Sequence, residues 1–146
     1  MHESGLSRQA AWLARAEVRA EDDGVAALGQ YLLRDEGPLD RFQSGLRFAD
    51  GRAKPALAAY RLPLVATRRG QRVVLRGRVR PVKAAGVAVV VEQRRRPGAT
   101  PGPLLRLRTA AHGAVRASVE RRPGQVRLGW LTPDGTFRRG AWVTLP

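Results

Sequence analysis

From Arg61 to the end of the chain, apolar and polar residues alternate in short runs, each bounded by glycine or proline and recurring roughly every ten residues. Seven runs stand out: Leu62–Thr67, Gln71–Arg80, Val87–Gln93, Leu104–Thr109, Ala114–Glu120, Gln125–Leu131 and Thr136–Leu145. In Arg72-Val73-Val74-Leu75-Arg76-Gly77-Arg78-Val79-Arg80, and again in Leu105-Arg106-Leu107-Arg108, arginine keeps returning at alternate positions. A period of two turns one set of side chains to a core and the other to water. Seven such strands predict an immunoglobulin-like β-sandwich over residues 61–146. Pro133-Asp134-Gly135 supplies a hairpin turn and Ala111-His112-Gly113 another turn, while Trp130 and Trp142 belong in or beside the core. Arg94–Pro103 holds prolines at Pro97, Pro101 and Pro103, too many for a sheet interior, and predicts a loop.

Residues 1–60 follow another rhythm. Ala10, Leu13, Ala16 and Ala20 recur at helical spacing with Arg8, Arg15 and Arg19 on the polar side, predicting a helix from Ser7 to Glu21. Ser7 is placed to cap it, with Leu6 before it as a staple, and Gly24 supplies the stop. The acidic run Glu21-Asp22-Asp23 falls at the C-terminal end, where the helix dipole disfavours it. Val25–Leu33 is mostly apolar without alternation, as in a parallel strand buried on both faces. A polar loop, Arg34-Asp35-Glu36-Gly37-Pro38, then a shorter element from Leu39 to Phe48 and an Asp50-Gly51 turn lead to a short helix opening at Pro55. Helix, buried strand, loop and helix make one α/β unit and part of another, too little to close a sheet.

Charge sharpens the division. The chain carries a net +15, yet residues 1–60 hold 8 Lys+Arg against 9 Asp+Glu, and residues 61–146 hold 19 against 3. Nearly all the cations are arginine, Lys54 and Lys83 being the only lysines. An arginine-only excess amid abundant Ala, Gly and Pro is what GC-biased codon usage produces, and the resulting field attracts acidic polymers whatever its origin. With no cysteine, disulfides, thiol catalysis and cysteine-ligated zinc are excluded. No apolar run reaches the length of a membrane span. Met1-His2-Glu3-Ser4-Gly5 lacks both the basic and the apolar parts of a signal peptide.

Three strings in the first part carry a resemblance: Gln30-Tyr31-Leu32-Leu33-Arg34-Asp35, then Arg41-Phe42-Gln43-Ser44-Gly45-Leu46-Arg47-Phe48, then Gly51-Arg52-Ala53-Lys54-Pro55-Ala56-Leu57. Together they resemble the end of the catalytic barrel in clan-A, cellulase-like glycoside hydrolases of high-GC bacteria. The resemblance implies that the helix Ser7–Glu21 lies between the seventh and eighth barrel strands, that Val25–Leu33 is the eighth strand, and that Lys54-Pro55-Ala56 opens the closing helix. Several such enzymes continue into a β-sandwich. The expected fold is therefore mainly β: an immunoglobulin-like β-sandwich over residues 61–146, preceded over residues 1–60 by an α/β stub equivalent to the last part of a (β/α)8 barrel. These hydrolases act through two glutamates, one acid/base and one nucleophile, at the ends of the fourth and seventh strands. The chain starts after both positions, since Glu3 follows only Met1-His2. It is thus expected to be inactive alone, with no catalytic residue of its own. An intact parent would hydrolyse O-glycosidic bonds outside the cell, with carbohydrate as substrate and the missing barrel portion as partner.

The candidate substrate contacts are Gln30, Tyr31, Arg34 and Asp35, which cluster at the carboxyl end of the eighth strand, where barrel enzymes build their sites. Read without the resemblance, Arg34 and Asp35 are a solvated loop pair, Tyr31 is a packing residue, and Gln43 satisfies a backbone group. No metal site or cofactor is expected: His2 and His112 are the only histidines, no Gly-x-Ser-x-Gly surrounds a serine, and no phosphate-binding glycine motif is present. A reading from another class makes residues 61–146 a non-catalytic module that binds polysaccharide, cell wall or another acidic polymer through its arginines. Specific nucleic-acid binding ranks last, because aromatic residues, 5% of the chain, do not interleave with the arginines.

Overall fold

The computed structural model describes residues 3–38 and 42–146, and it is mainly β. Two helices, α1 (Glu3–Asp22) and α2 (Pro55–Arg61), precede eight strands: β1 (Leu64–Arg69), β2 (Arg72–Arg78), β3 (Ala88–Arg94), β4 (Gly102–Arg108), β5 (Ala114–Glu120), β6 (Gln125–Leu131), β7 (Phe137–Arg139) and β8 (Val143–Thr144). The strands form two antiparallel sheets, ordered β1-β2-β5 and β4-β3-β6-β7, with β8 also on β6. They close a sandwich around one core.

Alternation explains which residues fill that core. Val73 and Leu75 of β2, Val89 and Val91 of β3, and Val126, Leu128 and Trp130 of β6 all point inward and are buried. Each fully buried Val or Leu contributes roughly 1.5–3 kcal/mol over an exposed one, so this cluster supplies the main driving force for the sandwich. Trp130 lies in the core as expected, and Trp142 sits at its margin, partly exposed.

The run Thr136–Leu145 is split into β7 and β8. Both pair with β6, but four steps from Arg139 to Val143 oppose three from Gly129 to Val126, so one extra residue bulges out and breaks the strand. Pro103 corrects the expected Arg94–Pro103 loop, since Gly102 and Pro103 already belong to β4. Proline is tolerated because β4 is an edge strand and its register slips beside Pro103.

The first part departs further from expectation. Helix α1 begins at Glu3, one turn earlier than expected, so Ser7 lies inside the helix and does not cap it. Val25–Leu33 forms no strand, and Val25, Leu28, Tyr31 and Leu33 are exposed. A parallel strand needs backbone partners beside it and apolar cover on both faces, and the described residues provide neither. His2 and the 39–41 portion of the expected Leu39–Phe48 element lie outside the described residues. Among the described residues no helix is long and apolar enough to cross a membrane.

Helix α1 meets α2 through small residues, Ala10 and Ala14 against Ala56, Leu57 and Ala59, all buried. Its C-terminal half reaches the sandwich through charge. Asp22 accepts from Arg76 Nη2 at 2.7 Å, Glu21 lies 3.3 Å from the same nitrogen, and Glu17 lies 3.2 Å from Arg78 Nε. Glu17 also pairs with Arg80, whose guanidinium stacks on Tyr60 at 4.6 Å. Glu21 and Asp22 of the acidic run that the helix dipole disfavours are thereby matched to Arg76 and Arg78 of β2, while Asp23 pairs with Arg19 one turn earlier.

Hydrogen bonding from Arg76, reinforced by the charges of Arg76, Arg19 and Arg116, holds the Asp22 carboxyl below the usual carboxylate value of 3.8. A depressed carboxylate stabilises the fold fully above its unfolded value and loses that contribution as pH falls through its folded value. Amide exchange protection along α1, corrected for intrinsic rates, is therefore expected to hold from neutral pH to about pH 4 and to fall below it. The β3 and β6 amides should stay protected throughout. Equal loss in helix and sandwich, or loss of α1 protection well above pH 4, would refute this assignment.

Candidate functional site

The expected contact residues lie in an irregular segment held together by a few backbone bonds. The Asp35 amide donates to Arg47 O at 3.0 Å, the Arg47 amide to Leu33 O at 3.0 Å, and the Lys54 amide to Leu46 O at 3.1 Å. The result is two isolated bridges, Arg34 with Arg47 and Arg47 with Ala53, which lay three stretches of chain side by side. Gly45 lets the first two meet: a Cβ there would lie 2.6 Å from the Asp35 nitrogen and from the Arg34 carbonyl carbon. No larger residue fits at that distance.

Asp35 and Lys54 form the centre. Lys54 Nζ lies 2.6 Å from each carboxylate oxygen of Asp35, with the side chains 0% and 2% exposed. The Gly45 amide donates to Asp35 Oδ1 at 2.9 Å, and Lys54 donates further to Gln43 O at 2.9 Å. The ammonium also lies 5.3 Å from the Phe48 ring centroid. Asp35 is thus a buried, fully engaged carboxylate and not half of a solvated loop pair. Burial of an ion pair on this scale is tolerable only because both partners find additional polar contacts.

The other three candidates take different places. Gln30 Nε2 donates to Ser44 O at 3.0 Å and to Leu32 O at 3.3 Å, so its amide organises backbone. Arg34 is exposed, and its charge helps to hold the Asp50 carboxyl below 3.8, after the larger effects of hydrogen bonds from Arg52. Tyr31 is 94% exposed, so it packs on nothing among the described residues. The structure therefore gathers Gln30, Arg34 and Asp35 around Ser44–Arg47 and leaves Tyr31 outside. Gln43 Nε2 donates to Glu36 O and Pro38 O, at 3.0 and 3.1 Å, satisfying backbone groups.

Comparison with family models, curated proteins and solved structures finds no match to this chain. What the segment can do rests on its own geometry.

Sequence reasoning missed two features. Gln9 on α1 donates to Ser44 O at 3.0 Å and Gly45 O at 3.1 Å, while its Oε1 is buried with no hydrogen-bond partner among the described residues. A buried acceptor left unmatched costs about 1–3 kcal/mol. The second is an arginine–tryptophan cluster, in which the guanidinium carbons of Arg94 and Arg127 lie 4.2 and 4.1 Å from the Trp142 ring centroid. The only sequence signal for it was the placing of arginines at outward strand positions. Among the described residues no three His, Cys, Asp or Glu side chains gather as a metal site would require.

The Asp35–Lys54 pair makes a sharp prediction. Lys54→Met leaves a buried carboxylate without its cation and is expected to destabilise the chain by about 3–5 kcal/mol in urea unfolding. Asp35→Asn combined with Lys54→Met should recover at least half of that loss. A single variant as stable as the parent would mean that the pair does not hold the segment.

Proposed function

We propose that this chain is the C-terminal portion of a glycoside hydrolase, completing a barrel whose preceding strands carry the catalytic glutamates, with a β-sandwich appended. The observation that carries the reading is an unfinished surface. Among the described residues eight large hydrophobic side chains are exposed, and six of them, Trp12, Val25, Leu28, Tyr31, Leu33 and Phe42, lie between residues 12 and 42. Apolar side chains gathered in one stretch of chain are costly unless something covers them.

A barrel portion supplies what is missing. Neighbouring strands would give Val25–Leu33 its backbone partners and cover its apolar side chains, turning an exposed irregular segment into the eighth strand. Asp35 and Lys54 fit that reading as a buried pin joining the strand's end to the start of the closing helix α2. Arg34, Gln30 and Tyr31 would then stand at the rim where barrel enzymes contact substrate. Hydrolysis itself requires the paired carboxylates of the preceding portion. Within this chain Asp35 is already consumed by Lys54 and the Gly45 amide.

The sandwich supports the immunoglobulin-like part of the proposal. The chain passes from one sheet to the other between β2 and β3, again between β4 and β5, and again between β5 and β6. Such crossing connections are of the Greek-key kind found in immunoglobulin-like domains.

The test begins with the genomic frame ahead of Met1. An in-frame continuation encoding barrel strands with two glutamates is expected, and the longer protein should hydrolyse β-glycosides while the present chain does not. Replacing the second of those glutamates by glutamine should abolish turnover. A stop codon directly upstream, with no barrel-coding neighbour in any frame, would defeat the proposal.

A further inference from the structure

The outward face of the second sheet combines an apolar trough with uncompensated positive charge. Gly129 of β6 lies beneath the Phe137 ring: a Cβ there would lie 2.6 Å from Phe137 Cζ and 2.9 Å from Val90 Cγ1, so only glycine lets the ring fold down onto the sheet as the side of a shallow trough. Leu131 and Phe137, 59% and 37% exposed, form one wall, and Arg106 and Arg108 of β4 stand on the other side. The trough encloses about 470 Å³.

The charges on this face do not cancel. Glu92 is its one carboxylate, and two arginines share it, Arg127 at 2.7 Å and Arg139 at 3.4 Å. Arg139 also stacks on Phe137 at 4.5 Å. Arg106 and Arg108 form no ion pair among the described residues, Arg108 donating only to Gly86 O at 2.6 Å. With Arg94 on Trp142, five arginines face one glutamate.

We propose that this face binds an acidic polysaccharide, specifically a polyuronate chain laid across the strands. Pyranose rings present apolar C–H faces that fit the exposed Leu131 side chain and the uncovered part of Phe137. Their carboxylates suit the planar, two-pronged guanidinium of arginine. Adjacent strands lie about 4.8 Å apart, so Arg106 and Arg108 on β4 and Arg139 on β7 are separated by three spacings, about 14 Å, a span that an extended chain crosses over several rings. A neutral glycan would leave these arginines without counterparts. Single-stranded nucleic acid needs a series of open aromatic faces for successive bases, whereas this surface offers only part of Phe137, on which Arg139 stacks, and Trp142, which two guanidiniums occupy. The inference goes beyond the hydrolase reading and does not require it, because binding is a property of this chain alone.

Affinity electrophoresis of the whole chain through gels containing polygalacturonate tests it. Retardation is expected at low ionic strength, weakening as salt rises, with none in dextran and little in oligodeoxythymidylate. Arg106→Ser with Arg108→Ser should weaken apparent affinity about tenfold or more. Arg68→Ser with Arg69→Ser removes equal charge from the end of β1 on the other sheet and should change it less than about twofold. Phe137→Ser, with no change in charge, should also weaken binding, and unfolding curves confirm that each variant is folded. Equal weakening by the two arginine pairs would reduce the effect to net charge and overturn the proposal. So would oligodeoxythymidylate binding as tight as polygalacturonate binding, which would mark a nucleic-acid surface.

Discussion

Arg76 and Arg78 of β2, with Arg80 just beyond, hold the C-terminal half of α1 by Glu17, Glu21 and Asp22, and the relation between the first sixty residues and the sandwich depends on that seam. The contact between α1 and α2 is made mainly by alanines, with Leu13, Leu57 and Tyr60 beside them. A single exposed ion pair is worth about 0–1 kcal/mol, so no one of these bonds could position a helix. A network in which Glu17 is shared by two arginines and Arg76 by two carboxylates fixes several side chains at once. Remove the seam, and α1 would keep its packing on α2 and the bonds from Gln9 to Ser44 O and Gly45 O, with its C-terminal half unheld.

The seam also explains why the acidic run sits at the wrong end of its helix. Local helix physics assigns Glu21, Asp22 and Asp23 an unfavourable interaction with the C-terminal dipole. The sheet reverses the sign, because the outward positions of β2 place guanidiniums within hydrogen-bonding distance of Asp22 and Glu21. Arginines that composition attributes to codon usage therefore have a structural task on β2. Those on β4 meet no carboxylate among the described residues, and on that sheet the excess charge is left uncompensated.

How far the fold could be read from the sequence depended on whether local pattern and tertiary partners agreed. The strands were legible because alternation between valine or leucine and arginine states both which residues are strands and which side is buried; β5 and β6 run as expected from Ala114 to Glu120 and from Gln125 to Leu131. What periodicity could not convey was pairing across the chain. The bulge between β7 and β8 comes from register against β6, and the place of Pro103 comes from the edge position of β4. In the candidate site, Asp35 reads as a polar loop residue by its neighbours Arg34 and Glu36. It is buried because Lys54, nineteen residues later, reaches it across the Gly45 approach.

Val25–Leu33 marks the point where the pattern and the chain part company. Its composition is that of an interior strand, with Leu28, Leu32 and Leu33 among its residues, yet among the described residues it has neither a neighbouring strand nor cover. A continuous apolar run is stable as a strand only when both its backbone and its two faces are satisfied, conditions that no edge segment can meet alone. The residues around it, by contrast, are fully organised: Gln30 and Gln9 both donate to Ser44 O, and Asp35 is pinned by Lys54. An ordered frame around a segment with strand composition and no partners is the arrangement left when one edge of a larger sheet is taken without its neighbours. That physical incompleteness, more than any individual residue, is what supports the proposal that further strands belong beside this segment.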